Sequence, residues 1–242
     1  MSSFDFSSPA LDREFPVRRH LLYFNHAAVA PLPRRVADAM TAHVKSVRDR
    51  GAADWRAWYG MIETVRGKAA RLLGAETAEI AFLPNTSWGV NLVALGFAWN
   101  AGDNVVTTDM EFPSNAYPWR RLTARGVECR IVKSRAGRVT AEDFAGLVDA
   151  RTRVVAVSWV AFHNGFVFPL AEIGRLCRER GILLVVDAIQ GLGALPLDVR
   201  ASGVDVLCAD GHKWLFGAEG GAIFYVNEGA REKVPARAAG WW

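Results

Sequence analysis

The chain has 242 residues and 51% of them are hydrophobic, so it can bury a large core and is not expected to be disordered. Its 29 basic and 25 acidic residues give a formal charge of +4, and the arginines are scattered, which argues against a nucleic-acid partner. The apolar stretches are interrupted by Asp or Gly well before membrane length, and the N-terminus lacks a basic start followed by an apolar run. We therefore expect a cytoplasmic, soluble protein that binds neither nucleic acid nor membrane.

The three cysteines are far apart and lack the spacing of a metal site. Each of Cys129, Cys177 and Cys208 falls in an apolar pattern that predicts a core position. Unpaired thiols of this kind are typical of a reducing compartment, in agreement with the cytoplasmic expectation.

The predicted elements begin with the run Leu21–Phe24, which indicates a short strand. Helical patterns follow at about 33–50 and 55–73, and Gly74 closes the second. Seven further strands are predicted at 79–83, 104–108, 127–132, 154–158, 182–186, 204–208 and 222–226. Because helical or loop patterns separate most of these strands, we predict an α/β fold with a largely parallel sheet.

One crossover predicts where a site should lie. A helical pattern at 170–180, ended by Gly181, connects two buried strands. Ligands of such sheets collect at the carboxyl ends of the strands, so Asp187, Ser158 and the stretch after Leu83 are expected to face one crevice.

Lys213 has the most unusual surroundings of any charged residue in the chain. It is one of five lysines, against 24 arginines, and it stands between Gly-His at 211–212 and Trp-Leu-Phe at 214–216. A solvated surface charge prefers water to an aromatic cluster, so we interpret this lysine as a group for covalent chemistry.

The segment Pro84–Asn91 follows a predicted strand and leads into a helix. Free backbone amides at such a helix start, together with the hydroxyls of Thr86 and Ser87, form an anion site for which phosphate is the commonest ligand. Taken alone, the pattern is more often an ordinary capped helix.

Asp187 ends a strand of branched aliphatic residues, and Gln190 follows on the same predicted turn. A buried carboxylate needs a cationic partner or several donors, and a protonated heterocycle nitrogen would be such a partner. The alternative is that Asp187 caps the next segment. The lysine downstream and the anion site upstream favour the first interpretation.

These segments together resemble the fold-type I enzymes that use pyridoxal 5′-phosphate (PLP), specifically the class V aminotransferase and cysteine desulfurase-like family. The resemblance spans nearly the whole chain, and the segments that carry it are Tyr23–Ala28, Asn85–Asn91, Met110–Asn115, Val186–Gly191 and Asp210–Trp214. The last two are specific, and the others support them. The resemblance implies a three-layer sandwich around a mostly parallel seven-stranded sheet, and a homodimer with the cofactor at its interface.

The resemblance also implies a role for each matching residue. Lys213 would form a Schiff base with PLP and move a proton at the substrate Cα, while Asp187 would pair with the pyridine nitrogen. Gln190 would donate to the ring phenolate oxygen, and Phe112 would stack on the ring face without proton chemistry. The phosphate would be held by Thr86, Ser87 and His212.

Other positions are less closely matched. Asp210 stands where many relatives carry a phosphate-binding serine, so we expect its carboxylate to point elsewhere or to pair with an arginine. Asn164, beside His163, is a candidate for a contact with cofactor or substrate, and His26 is a candidate substrate contact. A lone His or Asn near a strand end is more often a structural hydrogen-bonder.

The family continues into a small C-terminal domain that carries the substrate-carboxylate arginine and, in desulfurases, a nucleophilic cysteine. We expect that domain to be missing here. The predicted organisation is an N-terminal arm at 1–20, a PLP-binding large domain at 21–235 and the start of a truncated C-terminal segment at 236–242.

The leading functional prediction is a PLP-dependent enzyme, like the class V aminotransferases, that acts at the Cα of an amino acid by aminotransfer, epimerisation or elimination. Cysteine desulfuration is the alternative within the class, although Phe112 argues mildly against it. An alternative from another class is a catalytically silent fragment or binding module that kept the PLP fold. A nicotinamide dehydrogenase is disfavoured because Gly191-Leu-Gly193 lacks the third glycine of the dinucleotide motif.

Overall fold

The structure, a computed structural model, describes residues 8–235. The α-helices are α1 (Pro9–Glu14), α2 (Arg34–Arg50), α3 (Trp55–Leu73), α4 (Thr86–Gly96), α5 (Pro113–Arg121), α6 (Ala141–Ala145), α7 (Leu170–Arg180) and α8 (Glu228–Arg231). The strands are β1 (Ile80–Leu83), β2 (Asn104–Thr108), β3 (Glu128–Val132), β4 (Thr152–Ser158), β5 (Leu183–Asp187), β6 (Val206–Asp210) and β7 (Ala222–Val226). The predicted C-terminal segment at 236–242 and the first seven residues of the predicted arm lie outside the described residues.

The strands form one seven-stranded sheet in the order β1-β7-β6-β5-β4-β2-β3. β7 is antiparallel to both of its neighbours, β1 and β6, and every other pair in the sheet is parallel. Six strands therefore end at the same edge, as expected of a largely parallel sheet. The prediction of an α/β fold with a mostly parallel seven-stranded sheet is confirmed.

Side chains from alternate strand positions build a separate core on each face of the sheet. One core includes Val186 and Leu207, against which α6 and α7 pack with Phe144 and Ile173. The opposite core includes Val185, Val206 and Cys208 of the strands, with Val90 and Val93 of α4 and Trp119 of α5. Helices thus cover both faces, which gives the three layers that the resemblance implied.

Helix α4 approaches the sheet closely at Gly89. A Cβ atom at this position would lie 2.3 Å from the Cys208 Sγ and 3.2 Å from Phe224 Cδ2. Real Cβ atoms do not come that close, so only glycine allows this contact. The contact fixes the N-terminus of α4 beside the carboxyl end of β6.

The predicted strand at Leu21–Phe24 is wrong, because the structure has no strand there. The side chains of Leu22 and Phe24 are 91% and 90% exposed, and no neighbouring strand pairs with the segment. An apolar run resembles a buried strand in sequence, but a strand also needs a partner for its backbone groups. The seven other predicted strands are present, with limits that shift by up to two residues at either end.

The described part of the predicted arm is partly helical. Ser8 caps α1 through its hydroxyl, and a 3-10 turn follows at Pro16–Arg19. Within residues 8–235, no helix combines the length and apolar character needed to cross a membrane.

Candidate functional site

A cavity of about 710 Å³ opens at the edge of the sheet where the parallel strands end. It is bounded by the loop at 25–29, by the start of α4 and by the ends of β5 and β6. Its polar and aromatic lining consists of Asn25, Asn85, Thr86, Ser87, Phe112, Ser114, Phe162, Asp187, Gln190, Asp210, His212, Lys213 and Glu219. All seven residues assigned to the cofactor by the resemblance therefore meet in one cavity.

Lys213 lies on the tight loop between β6 and β7. Backbone hydrogen bonds close this loop, from Gly217 N to Gly211 O at 2.8 Å and from Phe216 N to Lys213 O at 3.2 Å. Phe216 has a backbone φ of 55°, which residues other than glycine rarely adopt. Burial lowers the pKa of the Lys213 ammonium, while the nearby carboxylates of Asp187 and Asp210 oppose that change. The loop thus presents an amine whose neutral, nucleophilic form is favoured by desolvation.

Asp187 is the last residue of β5 and is buried. Its Oδ1 accepts a hydrogen bond from Ile189 N at 3.0 Å, so the predicted capping contact is present. Burial raises the pKa of this carboxyl to about 6, although the Ile189 amide and the Lys213 charge act in the opposite direction. A cationic ring nitrogen bound here would stabilise the carboxylate against that desolvation.

The start of α4 supplies the hydroxyls predicted for an anion. Asn85 caps the helix by accepting from Trp88 N at 2.8 Å. Thr86 is buried and accepts from Asp210 N at 3.0 Å, whereas the Ser87 hydroxyl donates to the Ser114 hydroxyl at 2.7 Å. Ser114, which sequence reasoning missed, thus adds a third hydroxyl from the start of α5 to this part of the cavity.

Of the two expectations for Asp210, the carboxylate points elsewhere, towards a histidine, and does not pair with an arginine of residues 8–235. Its Oδ1 lies 3.2 Å from His212 Nδ1, and both residues are largely buried. The two residues stand at the end of β6, where the turn brings position 212 back over position 210. The carboxylate is therefore directed at the imidazole, and Asp210 contacts Thr86 through its backbone amide instead.

Gln190 joins the lysine loop to the N-terminal loop. Its Nε2 donates to Ala27 O at 2.8 Å, and its Oε1 accepts from Trp214 Nε1 at 3.1 Å. A further bond runs from Ala30 N to His212 O at 2.8 Å. One hydrogen of the Gln190 amide is free for a ligand, because the amide nitrogen carries two.

Phe112 forms an aromatic wall of the cavity, directly before α5. The Lys213 Nζ lies 5.8 Å from the centre of its ring, and the Phe162 ring meets it edge-on at 5.2 Å. The ring faces the amine, as stacking on a flat cofactor requires.

The two predicted substrate residues do not line this cavity. His26 stacks on Trp214, with ring centres 5.5 Å apart, and faces a neighbouring apolar cavity of about 660 Å³. Asn164 donates to Gly137 O and accepts from Phe166 N, so both ends of its amide are bonded to backbone. Their predicted contact with substrate stays a prediction.

Sequence reasoning also missed a buried network centred on Glu111. The carboxyl of Glu111 accepts from Ser158 N at 2.8 Å, from Ser158 Oγ at 2.6 Å and from Asn115 Nδ2 at 2.7 Å. Asn115 in turn accepts from Trp119 Nε1 at 3.0 Å. A sequence signal existed, since Glu111 stands between Met110 and Phe112, where an acid needs a special reason to be buried.

Residues 22–240 match the profile of the aminotransferase class-V family. The chain belongs to the aminotransferase class-V family. Among curated relatives, it is 36% identical over 223 residues to a probable cysteine desulfurase of Methanothermobacter thermautotrophicus. It is 34% identical over 225 residues to a cysteine desulfurase of Salmonella typhimurium. Each match covers 89% of this chain and 55% of the relative, so the chain spans about half the length of these relatives.

Solved structures that are similar to this chain have the same fold. The cysteine desulfurase of Thermococcus onnurineus superposes with a TM-score of 0.90 and 28% identity, over 100% of this chain and 62% of that protein. The cystine C–S lyase C-DES, solved with its product cysteine persulfide, gives 0.88 and 28% over 94% and 62%. A lysine-to-alanine variant of C-DES, solved with glycine covalently linked to its PLP cofactor, gives 0.89 and 27% over 95% and 63%. The sequence resemblance is thereby confirmed at the level of family and fold.

Proposed function

We propose that this chain is the cofactor-binding part of a PLP-dependent enzyme that acts at the Cα of an amino acid. The observation that carries the proposal is the position of the Lys213 amine and the buried Asp187 carboxyl in one cavity. Nothing in packing alone calls for a desolvated amine and a desolvated carboxyl at the same sheet edge, since each costs free energy to bury.

The cavity fits PLP by the chemistry of its donors. Lys213 supplies the amine for the aldehyde, and Asp187 supplies a carboxylate for the ring nitrogen. Thr86, Ser87 and Ser114 supply hydroxyls at two helix starts, where backbone amides also favour a phosphate. When bound, the cofactor withdraws electrons from the substrate Cα.

The chain's own residues would divide the remaining work. Lys213 would hold or move the proton at Cα, because desolvation keeps its amine available as a base. Phe112 would hold the ring in place and carries no transferable proton. Gln190, with one free amide hydrogen, would orient the ring through a single hydrogen bond.

Within this class, we propose cleavage of a carbon–sulfur bond in a cysteine-like substrate. The support is the similarity to cysteine desulfurases and to a cystine C–S lyase. Elimination of this kind needs a base at Cα and a polarising ring, both of which the cavity can offer. Aminotransfer, the activity after which the family is called, is the second candidate and uses the same lysine.

Two measurements test the proposal. The first is the visible absorbance of the purified chain after addition of PLP and desalting, beside Lys213→Ala and the control Lys133→Ala at an exposed lysine. A retained band in the wild type and the control, lost in Lys213→Ala, supports the site. The same band in Lys213→Ala would overturn it.

The second measurement separates the two reactions. The PLP-loaded protein is incubated with cysteine, with cystine and with alanine plus a keto acid. Sulfide, persulfide or pyruvate from the first two supports carbon–sulfur cleavage, whereas exchange of the amino group with the keto acid supports aminotransfer. No product from any of them, with PLP retained, would support the silent binding module.

We further propose that the chain forms a homodimer through α2 and α3. Helix α2 buries none of its residues within the chain, and α3 buries only its last turns. Apolar side chains exposed on the two helices are Met40, Val44, Val47, Trp55, Tyr59, Met61, Ile62 and Val65. Sedimentation of Val44→Glu/Met61→Glu should give monomers, while Leu22→Glu, at an exposed apolar residue elsewhere, should not. A dimer that survives the double substitution would refute this interface.

A further inference from the structure

Glu111 is a buried carboxyl without a cationic partner among residues 8–235. It lies in the loop between β2 and α5, and the residue is 8% exposed. Three donors surround it, namely two from Ser158 and one from Asn115, and no ion pair reaches it in the described part of the chain. Such surroundings bind a carboxylate well but leave its charge unneutralised in a poorly solvated place.

Asp187 is the neighbouring acid. Ser158 and Asp187 are direct register partners at the ends of β4 and β5, so their side chains leave the same face of the sheet from strands about 4.8 Å apart. Glu111 is bonded to that same Ser158 hydroxyl. The Glu111 carboxyl is therefore held at the end of β4, beside the end of β5 where Asp187 lies, and the charge of Asp187 opposes ionisation of Glu111.

The hydrogen bonds around Glu111 fit both of its protonation states. The Ser158 amide and the Asn115 side-chain nitrogen can only donate, and both do so to the carboxyl. The Ser158 hydroxyl can rotate, so it donates to a carboxylate and accepts from a protonated carboxyl. The Glu111 carboxyl therefore has hydrogen-bond partners in both protonation states.

Burial is the main cause of the raised pKa at both acids, and the two acids differ in the charge nearest to them. Lys213 helps to keep Asp187 ionised, whereas Glu111 has no such cation. Burial, with a further contribution from Asp187, raises the pKa of Glu111 to about 7. The thiol of Cys208 also lies near Asp187, and burial raises its pKa so that it stays neutral. Asp210 interacts with Lys213, on the other side of that pair.

We propose that Glu111 is a positioning residue that acts through Asp187 as a second, pH-gated negative charge behind the cavity. Below neutral pH it is protonated, and Asp187 alone faces a cationic ligand. Above neutral pH both acids are ionised, and the cavity binds a ring nitrogen cation more tightly. The inference rests on the proposed cofactor site, but its first step concerns the chain alone.

The first arm of the test uses the cofactor-free chain. Carbon-13 NMR of side-chain carboxyls gives the titration midpoint of Glu111, whose signal is assigned by its loss in Glu111→Gln. The midpoint should lie near neutral pH and fall in Asp187→Asn, because the repelling charge is gone. Asp205→Asn, which removes a half-buried acid just before β6 at the opposite edge, should leave it unchanged. An ordinary acidic midpoint, or equal midpoints in wild type and Asp187→Asn, would overturn the proposal.

The second arm measures the dissociation constant of PLP against pH in wild type and Glu111→Gln. The affinity of the wild type for PLP, relative to Glu111→Gln, should rise as pH passes through the Glu111 midpoint. By linkage, the gain is about tenfold when bound PLP lowers that midpoint by one pKa unit. Ser158→Ala, which retains the charge of Glu111 and the amide donor, should keep most of that gain. Parallel profiles for wild type and Glu111→Gln would refute the gating. A chain that binds no PLP would refute the proposed function instead, while the titration of Glu111 would still decide whether the two acids are coupled.

Discussion

The substitution Gly89→Ala should push α4 away from the sheet. The new Cβ would stand 2.3 Å from Cys208 Sγ and 3.2 Å from both Cys208 Cβ and Phe224 Cδ2, so the helix would have to move by more than an ångström or Cys208 would have to change rotamer. Overpacking of this kind costs about 1–3 kcal/mol, and the better helix propensity of alanine returns about 1 kcal/mol. We expect a net loss of about 1 kcal/mol in the free energy of unfolding.

Gly60→Ala in α3 is the matched control, because a Cβ at that position meets nothing within 4 Å. It should stabilise the chain by about 0.5–1 kcal/mol through helix propensity alone. Urea unfolding of both variants measures the difference, and the combination Gly89→Ala/Cys208→Ala should recover part of the loss because the Sγ is removed. PLP affinity should fall in Gly89→Ala, since Thr86 and Ser87 begin the displaced helix. Gly89→Ala as stable as Gly60→Ala would refute the close contact.

Two further predictions concern the site. Because burial raises the pKa of Asp187 to about 6, the folded chain keeps a proton that the unfolded chain loses, and stability from this group is lost as pH rises from about 4 to about 6. We therefore compare the free energy of unfolding of cofactor-free Asp187→Asn with that of the wild type, by urea titration at about pH 4 and at about pH 7.5. The difference should shift by about 3 kcal/mol in favour of the variant at the higher pH. The same difference at both pH values would contradict this. Gln190→Glu keeps the acceptor for Trp214 but loses the donor to Ala27, which should cost about 1–2 kcal/mol and speed hydrogen exchange in the 25–30 loop. Unchanged exchange there would show that the amide does not hold the loop.

The sheet could be predicted from the sequence because its strands are buried on both faces. Such strands have continuous runs of branched residues, as at Leu183–Asp187. These runs can be recognised in the local sequence, whichever strands they pair with. The run at Leu21–Phe24 has the same composition, but its pairing depends on where the rest of the chain lies. Composition carries no information about that partner, so the strand was predicted where none forms.

The site residues also divide into those that a local stretch of sequence reveals and those that depend on distant partners. Lys213 and Asp187 stand out because a charge among apolar residues is unusual in any local window. The burial of Glu111 depends on Ser158, which lies 47 positions away, and the Asp210–His212 contact depends on the turn after β6. Contacts made by distant strand ends or by loop geometry leave no periodic signal.

The position of β7 has a consequence for how the chain assembles. β1 joins the sheet only through β7, whose first residue lies 142 positions later (222 − 80). Until β7 has been synthesised and inserted, β1 has no strand to pair with, although α4, which starts three residues after β1, can already pack on β6. In a ribosome-bound chain, the strand that leads into the anion site at the start of α4 is therefore fixed only after β7 has emerged, and this long-range pairing is a slow, non-local step. Molecules that stall before residue 222 would expose the edge of β6, which is the surface that a chaperone or an aggregating partner would meet first.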